Sequence, residues 1–236
     1  MSLTLVEIEK NMSDCLVAIG DALSAAGREG EEIALVGAVK TQPKEIIDAT
    51  VSRGLLKHIG DNRVQEMLSN YNPDLNVTRH FIGRLQTNKV KYVIDKVDLI
   101  HSLDRDELAK EIDKQASKRG IVADCLIEVN VGSELSKGGV EMSDVIAFAL
   151  SMDAYPNIRV KGLMSVMPKG IDKSDLIDLY KRFYDVYNDL RARNSNIGIL
   201  SCGMSDDYQI AVQYGGSNMV RLGRTIFGER DYTVKQ

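Results

Sequence analysis

The chain has 236 residues, 44% of them hydrophobic and 27% charged, with 4 prolines and no Pro/Gly/Ser-rich linker, so one domain spanning residues 1–236 is expected. A net charge of −4 argues against a nucleic-acid duplex as partner, which would call for a basic face. No run of 18 apolar residues is present to cross a membrane, and the start, MSLTLVEIEK, lacks the basic and apolar regions of a signal peptide.

Residues 4–27 carry Leu5, Ile8, Met12, Leu16, Ile19 and Leu23 at helical spacing, with Gly27 as a stop. IALVGAVK, from Ile33, reads as a buried parallel strand ending in Lys40, and Pro43 opens a helix to about Arg53. Strand–helix pairs then follow in order. The expected strands are 56–60, 79–83, 97–102, 122–132, 158–168, 197–203 and 218–223. The expected helices begin at Asp61 or Asn62, Leu85, Asp104, Glu141, Asp172 and Ser205. Eight strand–helix units in this length predict an α/β fold, a single (β/α)8 TIM-type barrel with an extra N-terminal helix. An open doubly wound sheet is the alternative, and would need a reversal of strand order. Cys15, Cys125 and Cys202 are odd in number and far apart, as reduced thiols of a cytoplasmic protein would be.

The chemistry concentrates at three strand ends. Lys40 shares a strand face with Ala34, Val36 and Ala38, so it points into a pocket at the carboxyl end of the sheet, or snorkels to solvent. A desolvated lysine sheds its proton and attacks carbonyls. After the seventh strand, Gly203 allows a tight turn and Ser205 is placed to cap a helix whose amides face the pocket, a usual phosphate site in barrels. A capped turn without a ligand would read the same way. After the eighth strand, Gly223, Arg224 and Thr225 offer close backbone approach, amides and a hydroxyl to an anion. Arg221 alternates with Met219 and Gly223. If that face is inward, closure of the barrel sets Arg221 beside Lys40, where a like charge lowers the lysine pKa; the other face would put it in a surface salt bridge. A ligand with both a phosphate and an aldehyde fits such a pocket. Pyridoxal 5′-phosphate is one, with a Schiff base on Lys40 and Arg221 facing the pyridine nitrogen.

AVKTQP, GDNRVQE, HFIGRLQTNK, LIEVNVGSELSKGGV, KGLMSVMP, LSCGMSDDYQIAV and MVRLGRTIFGERDY occur in this order. Through these motifs the chain resembles the YggS/PROSC family of pyridoxal phosphate homeostasis proteins, from about residue 4 to Tyr232. The family is similar to the N-terminal barrel of the fold type III alanine racemases. The resemblance implies a monomer that binds the cofactor on Lys40 without established catalysis. It sets Asn62 near the ring, Arg221 at the pyridine nitrogen, and Met204, Ser205, Gly223, Arg224 and Thr225 around the phosphate. Asp61, Arg63, Arg79 and Arg224 depart from the residues often found there; Arg224 replaces a side-chain hydroxyl and leaves an amide.

Two further roles compete with a cofactor carrier that buffers pyridoxal phosphate or passes it to apo-enzymes. An amino-acid racemase needs a second acid–base group opposite Lys40, for which His80 and Tyr208 are candidates. A Schiff-base aldolase of sugar phosphates needs acid–base partners deep in the barrel. His58, His80 and His101 lack a metal-binding spacing and read as satisfied structural histidines. Lys137 reads as a solvated loop lysine rather than a second cofactor site. Met164, Met167 and Met204 fall at strand ends, where they line either a ring or the core. Tyr180, Tyr184 and Tyr187 form a packing stripe.

Overall fold

The computed structural model describes residues 3–132 and 138–229. Lys137 therefore lies outside the described residues. The chain opens with helix α1 (Leu5–Ala25), started by a capping box in which Glu7 N–H donates to the Thr4 hydroxyl and Thr4 N–H to the Glu7 carboxylate. Arg28 N–H then donates to Leu23 O around Gly27, which takes a positive φ of 65° and ends the helix as expected.

Strands and helices alternate from there: β1 (Ala34–Ala38), α2 (Lys44–Ser52), β2 (His58–Asp61), α3 (Val64–Asn70), β3 (Thr78–Phe81), α4 (Val90–Val93), β4 (Leu99–Leu103) and α5 (Asp106–Ser117). The second half continues with β5 (Ala123–Asn130), a two-residue β6 (Val140–Glu141), α6 (Val145–Ser151), β7 (Ile158–Met164), α7 (Lys173–Arg193), β8 (Ile199–Ser201), α8 (Tyr208–Gly215), β9 (Met219–Leu222) and α9 (Arg224–Phe227). All strand pairs are parallel, in the order β4-β3-β2-β1-β9-β8-β7-β5, and β4 also pairs with β5. That last pairing closes the sheet and excludes the open alternative. The fold is the expected α/β (β/α)8 barrel behind a leading helix. β6, which pairs with the end of β5, has no counterpart in the sequence reading.

Several expected boundaries move. β1 ends at Ala38, so Lys40 sits in the turn after the strand and not in it. Asn62 and Asp104 are not helix caps: α3 and α5 start behind Arg63 and Arg105, and Asp104 pairs with the Arg105 guanidinium. Ser205 does not cap either. α8 begins three residues later, behind Asp207, and Asp207 rather than Ser205 accepts the Met204 amide. Asn62, Asp104 and Ser205 are all of helix-capping types, and the Asp104 side chain is taken by a specific partner.

Side-chain alternation splits the apolar residues into two populations. One set faces outward and packs under the helices. It forms two clusters, one around Phe81, Ile112, Ile127, Phe183 and Leu200, the other joining α1 to β1, α2, α8 and β9 through Ile8, Leu35, Ile47 and Val220. The other set faces the lumen and is small: Val36, Leu99, Leu126, Met164 and Met219. Met164 and Met167 are buried in these clusters, Met204 is not, and the Tyr184 and Tyr187 rings stack along α7 as a packing stripe would. No helix of the described residues is long and apolar enough to cross a membrane.

Candidate functional site

Two neighbouring strands place the central pair. β1 and β9 run side by side with Val36 opposite Arg221, so the inward residues of β9 line up with those of β1. An added Cβ on Gly223 would touch Ala38 Cβ at 3.5 Å, which carries the alignment to the mouth of the barrel. Lys40, half-buried, follows two residues on. Its turn is held by Val39 N–H donating to Gly60 O and Gln42 N–H donating to Val39 O. Thr41 has φ of 67°, a left-handed conformation that costs a β-branched residue about 1–3 kcal/mol and persists where surroundings over-determine it.

Arg221 faces inward and is 4% exposed. Its guanidinium donates to Ser201 O at 2.8 Å, Ser201 Oγ at 2.7 Å and Ser165 O at 2.9 Å. All three acceptors are neutral, and among the described residues no carboxylate lies within ion-pair distance. Burial lowers its pKa from the ordinary arginine value, yet arginine keeps its charge in proteins. Burial also pushes the nearby Glu128 carboxyl up to about 7, with Asp104 adding to the rise and Arg221 opposing it.

Two loops close the site. Gly203, at φ of 95°, lets α8 come close: a Cβ there would meet Ala211 Cβ at 2.7 Å and Tyr208 Cα at 2.9 Å. Asp207 clamps this loop, accepting from Met204 N–H at 2.6 Å and from the Tyr180 hydroxyl at 2.7 Å. The second loop is stitched to the first by Thr225 N–H, which donates to Ser205 Oγ at 3.3 Å, and by Arg221 N–H, which donates to Gly203 O. The Arg224 guanidinium is held by Asp206 and Glu229.

These elements surround a cavity of about 190 Å³ at the C-terminal mouth. Lys40, Asn62, Met204, Ser205, Arg221, Gly223 and Arg224 all line it, and Thr225 stands behind Ser205. Seven of the eight candidates for cofactor binding thus line one cavity, and Thr225 adjoins it. The buried Asn62 Oδ1 has no hydrogen-bond partner among the described residues, and an orphaned acceptor on a cavity wall calls for a ligand or solvent donor. Ala38 lines the cavity as the shared strand face predicts, whereas sequence reasoning missed the apolar walls Ile82 and Val166, and also Lys169 and Asp206. Lys169 follows β7 in a loop and carried no signal apart from its place after KGLMSVMP. Neither His80 nor Tyr208 lines the cavity, so the two candidates for a racemase's second base stand apart from Lys40. A larger cavity of about 710 Å³ adjoins through Asn62 and is rimmed by Arg63, Arg84, Lys89 and Arg105.

Known proteins share this architecture. The sequence profile "Alanine racemase, N-terminal domain" matches residues 22–231. A pyridoxal phosphate homeostasis protein of Aquifex aeolicus is 45% identical, covering 94% of this chain and 98% of its own. Among solved structures, an unknown protein from Bifidobacterium adolescentis superposes with a TM-score of 0.86 at 29% identity, covering 94% of each chain. PipY of Synechococcus elongatus PCC7942, solved with PLP bound, gives a TM-score of 0.76 at 26% identity over 89% of this chain and all of its own. A match at 45% identity over 94% of the chain, together with the profile match over residues 22–231, places this chain in the pyridoxal phosphate homeostasis protein family, within the alanine racemase N-terminal domain family.

Proposed function

We propose that the protein binds pyridoxal 5′-phosphate at the C-terminal mouth and serves its intracellular homeostasis, holding the cofactor for release to apo-enzymes that need it. The observation that carries this reading is the convergence of a lysine amine, a buried arginine hydrogen-bonded to neutral acceptors, and two backbone loops on one cavity. When bound, the cofactor supplies an aldehyde carbon that an amine can capture and a ring that withdraws electrons.

The residues divide the task. Lys40 is the amine that reaches the aldehyde, as a Schiff-base lysine would, and the strained Thr41 behind it restrains its backbone. Arg221 donates toward the pyridine nitrogen and, as a permanent cation, keeps a proton off it. Asn62 lies near the ring. Met204, Ser205, Gly223, Arg224 and Thr225 hold the phosphate through backbone and the Ser205 hydroxyl. Three buried free cysteines suit a reducing, cytoplasmic setting, and the family resemblance suits a monomer.

Borohydride reduction of the loaded protein followed by peptide mass mapping tests the assignment. The adduct is expected on Lys40, and Lys40→Ala is expected to lose it. An adduct on Lys169, the other lysine of the cavity wall, would move the anchor across the pocket. A protein that takes up no cofactor would overturn the reading.

A further inference from the structure

Behind Arg221 the lumen holds a line of polar side chains that the proposed function does not use. His58 opens β2 at the N-terminal mouth, His80 lies on β3 and His101 on β4. His58 Nδ1 is 3.0 Å from His80 Nε2, and His80 Nδ1 is 2.9 Å from His101 Nε2. His101 Nδ1 then lies 3.3 Å across the lumen from Ser201 Oγ, the same oxygen that accepts from Arg221 at 2.7 Å. At the other end His58 is half-buried and lines a cavity of about 530 Å³ at the N-terminal mouth, together with Glu32, Lys57 and Met219. A continuous set of hydrogen bonds thus runs through the barrel from one mouth to the other.

The direction of every bond follows from its arginine end. A guanidinium only donates, so Ser201 Oγ accepts from it. The hydroxyl proton then goes to His101 Nδ1. A neutral His101 with a bare Nδ1 carries its proton on Nε2 and donates to His80 Nδ1. By the same step His80 donates from Nε2 to His58 Nδ1, and His58 turns its Nε2–H to the lower cavity. The reverse order would leave the hydroxyl proton of Ser201, which is fully buried, without an acceptor among the described residues.

This order requires three neutral rings. Burial, with His58 and Arg221 adding to it, takes His80 down to about 3, and burial takes His101 well below its ordinary value. His58 is lowered by burial and by Lys57 beside it, against Asp98, which raises it. Arg221 is faced in turn by Glu128, Asp207, Tyr180 and Cys202. A proton added to His58 must go on Nδ1, where it meets the Nε2–H of His80. His80 and His101 must then both exchange tautomers, and the Ser201 hydroxyl loses its acceptor.

We propose that His58, His80, His101 and Ser201 form one polarised hydrogen-bond column that positions Arg221, and that links protonation at the N-terminal mouth to cofactor affinity at the C-terminal mouth. The proposal rests on the reading of Arg221 as the partner of the pyridine nitrogen. Linkage makes it reciprocal: acid at His58 loosens the cofactor, and loading the cofactor makes His58 harder to protonate by the same factor.

Nitrogen-15 NMR of imidazole-labelled protein reads the column directly. Without cofactor, all three rings are expected in the Nε2–H form at neutral pH. On loading with pyridoxal phosphate the His58 midpoint is expected to fall; one pH unit corresponds to a roughly tenfold coupling. In Ser201→Ala the midpoint is expected to stay where it is on loading. Because the cofactor itself titrates, its Kd is compared with that of the variant at each pH; between pH 7.5 and 5 the wild-type Kd is expected to rise more, by up to about the same tenfold. His58→Gln, at the half-buried end, keeps an acceptor but cannot charge, and is expected to abolish that excess. A ring in the Nδ1–H form, a wild-type midpoint unmoved by loading, or an equal shift in Ser201→Ala overturns the column and leaves the functional reading intact. Failure to take up pyridoxal phosphate at all overturns the functional reading and the linkage with it.

Discussion

The inside and the outside of the barrel wall are built on opposite terms. Outside, large aliphatic and aromatic side chains fill the space beneath the helices, among them Phe81, Ile112 and Phe183, all 0% exposed. Inside, a small cluster of buried apolar residues shares the lumen with three histidines, Ser201 and a buried arginine. The strands are the same; alternation alone sends one residue out and the next in. The outer layer gains stability by removing apolar surface from water. The inner layer spends some of it, because each buried polar group must be matched by a partner. The difference teaches where to look for function: in the layer whose composition burial alone cannot explain.

Substitutions test that division. The largest effect is expected outside. Phe183→Ala, which empties a fully buried site under α7, should cost about 3–5 kcal/mol in chemical denaturation. The surviving folded fraction should still form its adduct at Lys40. Loss of the adduct in folded protein would blur the two layers.

Acid should act mainly inside. A histidine whose folded pKa is lowered binds its proton more readily when unfolded, so stability falls as pH drops below about 6.5. His80, lowered to about 3, contributes a loss of up to about 4 kcal/mol by pH 3. Two buried carboxyls act with the opposite sign. Glu128, raised to about 7, and Asp61, raised to about 6 by burial, hold protons in the folded state and add stability as pH falls toward their unfolded values. Denaturation midpoints should therefore change little between about pH 6 and 4.5 and fall steeply below about 4, where the histidines act unopposed. A steady decline from neutral pH would show that the carboxyls are not matched against them.

The smallest expected effect lies at the rim between the layers. Thr41→Gly relieves a left-handed backbone and should raise stability by about 1 kcal/mol or less, a Tm increase of about 2–4 °C at most. The same change frees the turn that carries Lys40. A slower approach to full cofactor loading, despite a higher Tm, would mark Thr41 as part of the site's preorganisation.

The fold was legible because the outer layer writes itself into sequence as apolar runs at strand and helix periods. Lys40, Ser205 and Arg221 were legible as polar residues at the ends of such runs. Helix starts were less so: Asp104 has the chemistry of a cap, yet the guanidinium of the next residue, Arg105, takes its side chain. The polar column was read only as three separate satisfied histidines. Its existence depends on the register of β2, β3 and β4 and on β8 lying across the lumen, and no local pattern encodes either. Lys169 and Asp206 were missed for the same reason, since loops between strands carry no period.

The pairing of β1 with β9 has a consequence in time as well as in space. Lys40 leaves the ribosome well before Arg221, and the wall they share forms only when β9 slots beside β1. Throughout synthesis the growing polypeptide carries the lysine without its pocket. The cavity that Lys40 and Arg221 line together therefore exists only once β9 has been made and has paired with β1.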